Sequence, residues 1–213
     1  MSLTLALIIL TALVSLQAFN SSVVSGKLLF YPSWMNRHGE WYRFLTHGFV
    51  HANWEHLLVN MYVLYLFGEF TEAQFEALFG VGLGRMLFVV FYTSAIVIAS
   101  IPSYFKHQHN PSYRAVGASG ATSALVFAYV LFNPWGWFLF PPLPAILFAV
   151  GYLWYSSYME KRGMDNIGHN AHFWGSVYGV IFLIVTAAAL RPELLFYFVG
   201  MLLSGPTPPP FFN

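Results

Sequence analysis

Charge is what this chain of 213 residues has least of. Lys, Arg, Asp and Glu make up 8% of it, against about 25% in an ordinary soluble domain. So few charges cannot cover the surface of a water-soluble protein, and a chain this rich in aromatics is not disordered. Cysteine is absent, which excludes disulfides, thiol nucleophiles and Cys-ligated zinc or iron–sulfur sites. The net charge of +1 provides no basic field for a nucleic acid. What is present is apolar: 58% hydrophobic residues, 20% aromatic, mean hydropathy +0.61. This composition implies an all-α polytopic membrane protein. At about 20 residues per span, roughly six or seven spans fit, in one domain over 1–213.

The first apolar run is Leu3 to Phe19. A signal peptide is the alternative, but no Lys or Arg precedes the run and no clean cleavage pattern follows, so it reads as a transmembrane helix. Residues 20–52 form a long connection carrying Trp34, Tyr42 and Phe44, and Trp and Tyr favour the membrane interface. A second span over Trp54–Phe70 is followed by an acidic loop with Glu69, Glu72 and Glu76. The third span is Arg85–Tyr104, then a polar loop to Val116. The fourth starts near Gly117 and ends before Asn133; its small residues predict a central position. A Pro-rich connector leads to a fifth span over Ala145–Tyr158, a charged turn at 160–167, and a sixth span over Gly168–Leu190. Leu194–Leu203 is too short to span and reads as an interfacial helix or part of a seventh segment. The tail 206–213 reads as irregular.

Polar side chains at membrane depth are costly and tend to mark sites. Three groups stand out. His56 and Asn60, four apart, share a helix face and could donate two hydrogen bonds to one oxyanion. His51 precedes that helix and could brace it. A polar contact that only joins helices is the alternative, and a zinc protease would need a second His that Glu55 and His56 lack. Gly117, Ser119 and Gly120 open the fourth span, where a helix N-terminus leaves unpaired N–H groups; small-residue packing explains the same pattern. His172, Gly175 and Gly179 lie on one stripe of the sixth span, and glycines four apart permit close helix approach. His169 lies nearer the helix start. A Ser, a His and two oxyanion donors are the inventory for acyl transfer by an activated serine. The nearest acids, Asp165 and Glu160, fall in a turn, which favours a Ser–His dyad over a triad.

On these motifs the chain resembles the rhomboid family of intramembrane serine proteases. H-x-x-x-x-H-x-x-x-N occurs as His51, His56 and Asn60, G-x-S-G as Gly117, Ser119 and Gly120, and A-H-x-x-G-x-x-x-G as Ala171, His172, Gly175 and Gly179. The resemblance implies a bundle of six transmembrane helices, with a core over about 40–190 and residues 20–52 as a membrane-associated loop. It implies Ser119 as nucleophile, His172 as general base, and His56, Asn60 and the Ser119 N–H as the oxyanion hole. Arg43 is similar to the arginine of the family's W-R motif, although the order here is Trp41, Tyr42, Arg43. Substrates would be transmembrane segments of other proteins. No cofactor, metal or nucleic acid is implied, and the expected location is a bacterial cytoplasmic membrane.

The chain departs from the family in two places. Many members carry an aromatic four residues after the nucleophile, packed on the catalytic histidine. Here that position is Ser123, so Tyr178 or Phe173 is expected to support His172, or its orientation is looser. The acidic 69–80 loop also looks longer than usual. Topology conflicts as well. The site side carries Lys27, Arg37, Arg43, Lys106, Arg114, Lys161 and Arg162 against Arg85 and Arg191 opposite. The positive-inside rule would put the site in the cytoplasm, whereas the family puts it outside. Two rivals remain: a proteolytically dead relative that binds helices, and a transporter lined by His51, His56, His169 and His172.

Overall fold

A computed structural model describes residues 1–138, 142–162 and 168–206. The predicted tail beyond Pro206, part of the Pro-rich connector, and Asp165 in the 160–167 turn lie outside the described residues. Helices account for the architecture, and the described residues hold no β-strand. The chain runs α1 (Leu3–Asn20), α2 (Ser22–Leu28), α3 (Pro32–His38), α4 (Arg43–Thr46), α5 (Trp54–Val63), α6 (Glu69–Phe79), α7 (Val81–His107), α8 (Ser119–Phe132), α9 (Ala145–Arg162), α10 (His169–Leu190) and α11 (Glu193–Leu203). Helices α1, α7 and α10 are each long and apolar enough to cross a membrane.

Helix α1 shows how such a chain sorts its residues. Its buried positions are Thr4, Thr11, Ser15 and Ala18, while Leu5, Ile9, Leu10 and Leu13 face outward. Against lipid the apolar side chains need no cover, so the small and polar stripe is what packs. Helix α8 is the centre: ten of its 14 residues are buried, as its small residues predict. It sits between α7 and α10. A Cβ on Gly120 would stand 2.7 Å from Ala99 Cβ, and one on Gly175 would stand 2.1 Å from Gly120 O.

The expected acidic loop is helical. A π-turn at Leu64–Gly68 joins α5 to α6, so the helix runs from Trp54 to Phe79. Partners hold the acids. Glu72 accepts from Leu3 N–H, Thr4 N–H and the Thr4 hydroxyl, each at 2.8 Å, and Glu69 accepts from the Ser2 hydroxyl. Carboxylates thus cap the positive N-terminus of α1. Glu76 pairs with Arg85 at 2.6 Å. The long connection also contains structure, as α2–α4. Helix α11, about 16 Å long by its rise, is too short to span; its Phe198 packs edge-on against Phe132 at 5.2 Å.

Candidate active site

The segment before α8 is fixed from three directions. Phe30 and Ala115 exchange backbone hydrogen bonds of 2.9 and 3.0 Å, tying it to the long connection. Gly117 N–H donates to His47 O at 2.9 Å. Ala118 N–H approaches His51 Nε2 at 3.4 Å. Burial pushes the His47 imidazole down to about 4. The neutral ring then donates Nδ1–H to Arg43 O at 2.8 Å. Burial, and next the charge of His56, push His51 down to about 3. With Nε2 accepting from Ala118, the His51 proton sits on Nδ1, 3.0 Å from Ser15 Oγ, and Ser15 in turn donates to Phe49 O at 2.9 Å.

Gly117 admits no other residue. Its φ of +115° lies where side chains are strained, and a Cβ there would stand 2.5 Å from His56 Cε1 and 2.8 Å from His56 Nε2. The His56 ring therefore lies on the backbone two residues before Ser119. Asn53 caps α5 by accepting from His56 N–H at 2.8 Å. Asn60 donates to His56 O at 2.8 Å, and the Thr122 hydroxyl donates to Asn60 Oδ1 at 3.2 Å. These contacts orient the amide. One of its two N–H hydrogens is used on His56, leaving one to give.

Ser119 is the first residue of α8 and His172 lies in the first turn of α10. These two helices cross in close contact at residues adjacent to both. Gly120 and Gly175 touch through backbone, a Cβ on Gly120 would meet Ala171 O at 3.4 Å, and one on Gly179 would meet Ala124 O at 2.4 Å. Each candidate side chain is thus one residue from a backbone contact between its helix and the other.

The expectation for His172 support needs correction. Tyr178 turns toward α7, where its hydroxyl meets Ser94 Oγ at 2.5 Å, and Phe173 sits edge-on to Trp174. The ring stacked on His172 is Tyr152 of α9, with centroids 6.1 Å apart and planes 21° from parallel. Its hydroxyl hydrogen-bonds Ser123 at 2.9 Å, the position where the aromatic is missing. His169 is buried and its ring lies 5.9 Å from that of His172. Helix α10 starts under a clamp: Glu160 accepts from Asn170 N–H at 3.1 Å and pairs with Lys106, while Asn170 donates to Ser103 Oγ at 3.0 Å.

His51, His56 and Asn60 are thus tied to Gly117, Ala118 and the first turn of α8, and the start of α10 packs on the start of α8 at Gly120 and Gly175, whereas Gly179 lies at mid-helix against Ala124. Arg43 stays in the long connection as a brace, donating to Glu40 at 2.6 Å and to Gly26 O and Leu29 O at 2.8 Å. The sequence reading missed Ser15, Thr122 and Tyr152. Thr122 had a positional signal, one helical turn after Ser119; Tyr152 had none. No group of three His, Cys, Asp or Glu among the described residues is arranged to hold a metal ion.

A serine at a helix N-terminus, with a histidine on the helix packed against it and a histidine and an asparagine on α5 near the same loop, is an inventory from which attack on a carbonyl and stabilisation of the oxyanion could be built. Residues 38–189 match the family model described as "Rhomboid domain". The chain is 38% identical over 98 residues to Rhomboid-like protein 11, chloroplastic, of Arabidopsis thaliana, which covers 46% of this chain and 31% of that protein. It is 28% identical over 151 residues to Rhomboid-related protein 1 of Caenorhabditis elegans, covering 68% of this chain and 39% of that protein. The matched stretch is under half the length of either relative. With its three motifs on or just before α5, α8 and α10 of a membrane-helix bundle, and a domain match running from the long connection through α10, the chain belongs to the rhomboid family.

Proposed function

We propose that the protein is an active intramembrane serine endopeptidase that cuts transmembrane segments of other membrane proteins. The observation that supports this reading is the α8–α10 crossing, in which Gly120, the neighbour of Ser119, packs against Gly175 and within 3.4 Å (from an added Cβ) of the carbonyl of Ala171, the neighbour of His172. His172 takes the Ser119 proton, Ser119 attacks the scissile carbonyl, and the developing oxyanion is held by His56, Asn60 and the Ser119 N–H. His172 then protonates the leaving amine, and water hydrolyses the acyl enzyme. No acid completes a triad in this account.

The bundle passes the membrane six times, as α1, the continuous α5–α6, α7, α8, α9 and α10. The short α8 is tolerated because protein covers it. The site end faces away from the cytoplasm of a bacterial cytoplasmic membrane. Retention of both Ser119 and His172 favours this over an inactive helix-binding relative. Cleavage of a single-span reporter in proteoliposomes tests it. Wild type cuts, Ser119→Ala and His172→Ala do not, and Asn60→Ala loses about 10²–10³ in rate, the usual cost of one oxyanion donor. Cleavage that survives Ser119→Ala refutes the mechanism.

A further inference from the structure

Position 123 and Tyr152 belong to one device. In this chain the residue one turn after Ser119 is a buried serine, too small to reach the imidazole. Its hydroxyl instead meets the Tyr152 hydroxyl at 2.9 Å. That contact, with Phe148 stacked at 5.8 Å and Phe127 tilted at 6.3 Å, fixes the ring that lies over His172 at 6.1 Å and 21°. Offset stacking at this separation is a favoured aromatic geometry. A histidine that must pass a proton both ways needs a fixed ring plane, since small misplacements cost rate steeply.

We propose that Tyr152 of α9 is the positioning residue of His172, anchored through its hydroxyl to Ser123. The aromatic support of the base thereby comes from a different helix than the nucleophile. Orientation of His172 then depends on α9 being seated, and α9 buries only Ala145, Ala149 and Ser156. The proposal rests on the Ser119–His172 reading but has a consequence separate from it, the environment of the His172 ring.

The test uses the full chain in proteoliposomes, comparing wild type, Tyr152→Phe and Tyr152→Leu for reporter kcat and KM. In parallel, nuclear magnetic resonance of histidine-labelled protein reads the ring protons of His172. Tyr152→Leu is expected to lower kcat about tenfold, the weight of one aromatic contact, with KM unchanged. The same variant moves the His172 ring protons downfield, because the shielding face of the tyrosine is gone, and leaves those of His51 in place. Tyr152→Phe, which keeps the ring but loses the anchor to Ser123, falls between wild type and Tyr152→Leu in kcat and in the His172 resonances; a Phe variant equal to wild type in both removes the hydroxyl anchor from the proposal. If Tyr152→Leu does not fold, the unbranched Tyr152→Met takes its place with the same expectations. Unchanged His172 resonances in the ring-deleted variant overturn the proposal, whatever the activity. A wild type that does not cut the reporter refutes the protease reading alone, and the resonances still decide the stacking.

Discussion

Gly117 meets two demands at once, a positive φ and the space taken by the His56 ring. Gly117→Ala is therefore expected to cost about 1–3 kcal/mol in strain and to displace His56, with cleavage falling by more than the stability loss explains. Thermal melting and reporter cleavage on the same sample check this. His47 makes a pH prediction. Its folded value of about 4 lies below the ordinary 6.5, so the fold favours the neutral ring. Its stability contribution is complete above pH 6.5, falls as pH drops toward 4, and is flat below that. The span corresponds to about 3 kcal/mol. Melting temperature should drop across this window, and less so in His47→Gln; equal slopes would contradict it. At this scale the sequence was most informative where a polar group stood in an apolar run, as with Ser119, His56, Asn60 and His172. Tyr152 was illegible for the opposite reason. One more aromatic in a chain that is 20% aromatic carries no signal, and its role arises only when α9 is laid beside α10.

Among the elements, the α8–α10 contact decides the site. At Gly175 a Cβ would meet backbone, 2.1 Å from Gly120 O, and backbone in the middle of a bundle cannot step aside. Gly175→Ala should lower the melting temperature sharply and abolish cleavage. Gly151→Ala in α9, where nothing lies within 4 Å of the added carbon, should be neutral or slightly stabilising by about 0.5–1 kcal/mol. Equal effects of the two would remove the contact from the account. The two helices were readable as tight-packing elements, α10 from glycines at a four-residue spacing and α8 from its run of small residues. The acidic segment was misread as a loop because its three glutamates look solvent-facing in sequence. Glu69 and Glu72 find their partners at the N-terminus of α1, far away in the chain, and Glu76 finds Arg85 across the turn into α7.

For the whole molecule, low charge established a membrane protein at once, yet the charges that exist do not settle its orientation by counting. Basic residues of both sides have partners: Arg43 binds Glu40 and two carbonyls and Lys106 pairs with Glu160 on the site side, while Arg85 pairs with Glu76 and Arg191 with Glu193 opposite. The proposed orientation, with the site end outside, would put the end of α10 on the cytoplasmic side. A C-terminal green fluorescent protein fusion should fluoresce and a C-terminal alkaline phosphatase fusion should be silent; the reverse pattern inverts the topology. The central claim is that Ser119 is a nucleophile activated by His172. The most direct measurement is labelling of the membrane-embedded protein by a fluorophosphonate, with the modified residue mapped by mass spectrometry. The account predicts one adduct, on Ser119, lost in His172→Ala. An adduct elsewhere, or undiminished labelling of His172→Ala, would contradict it.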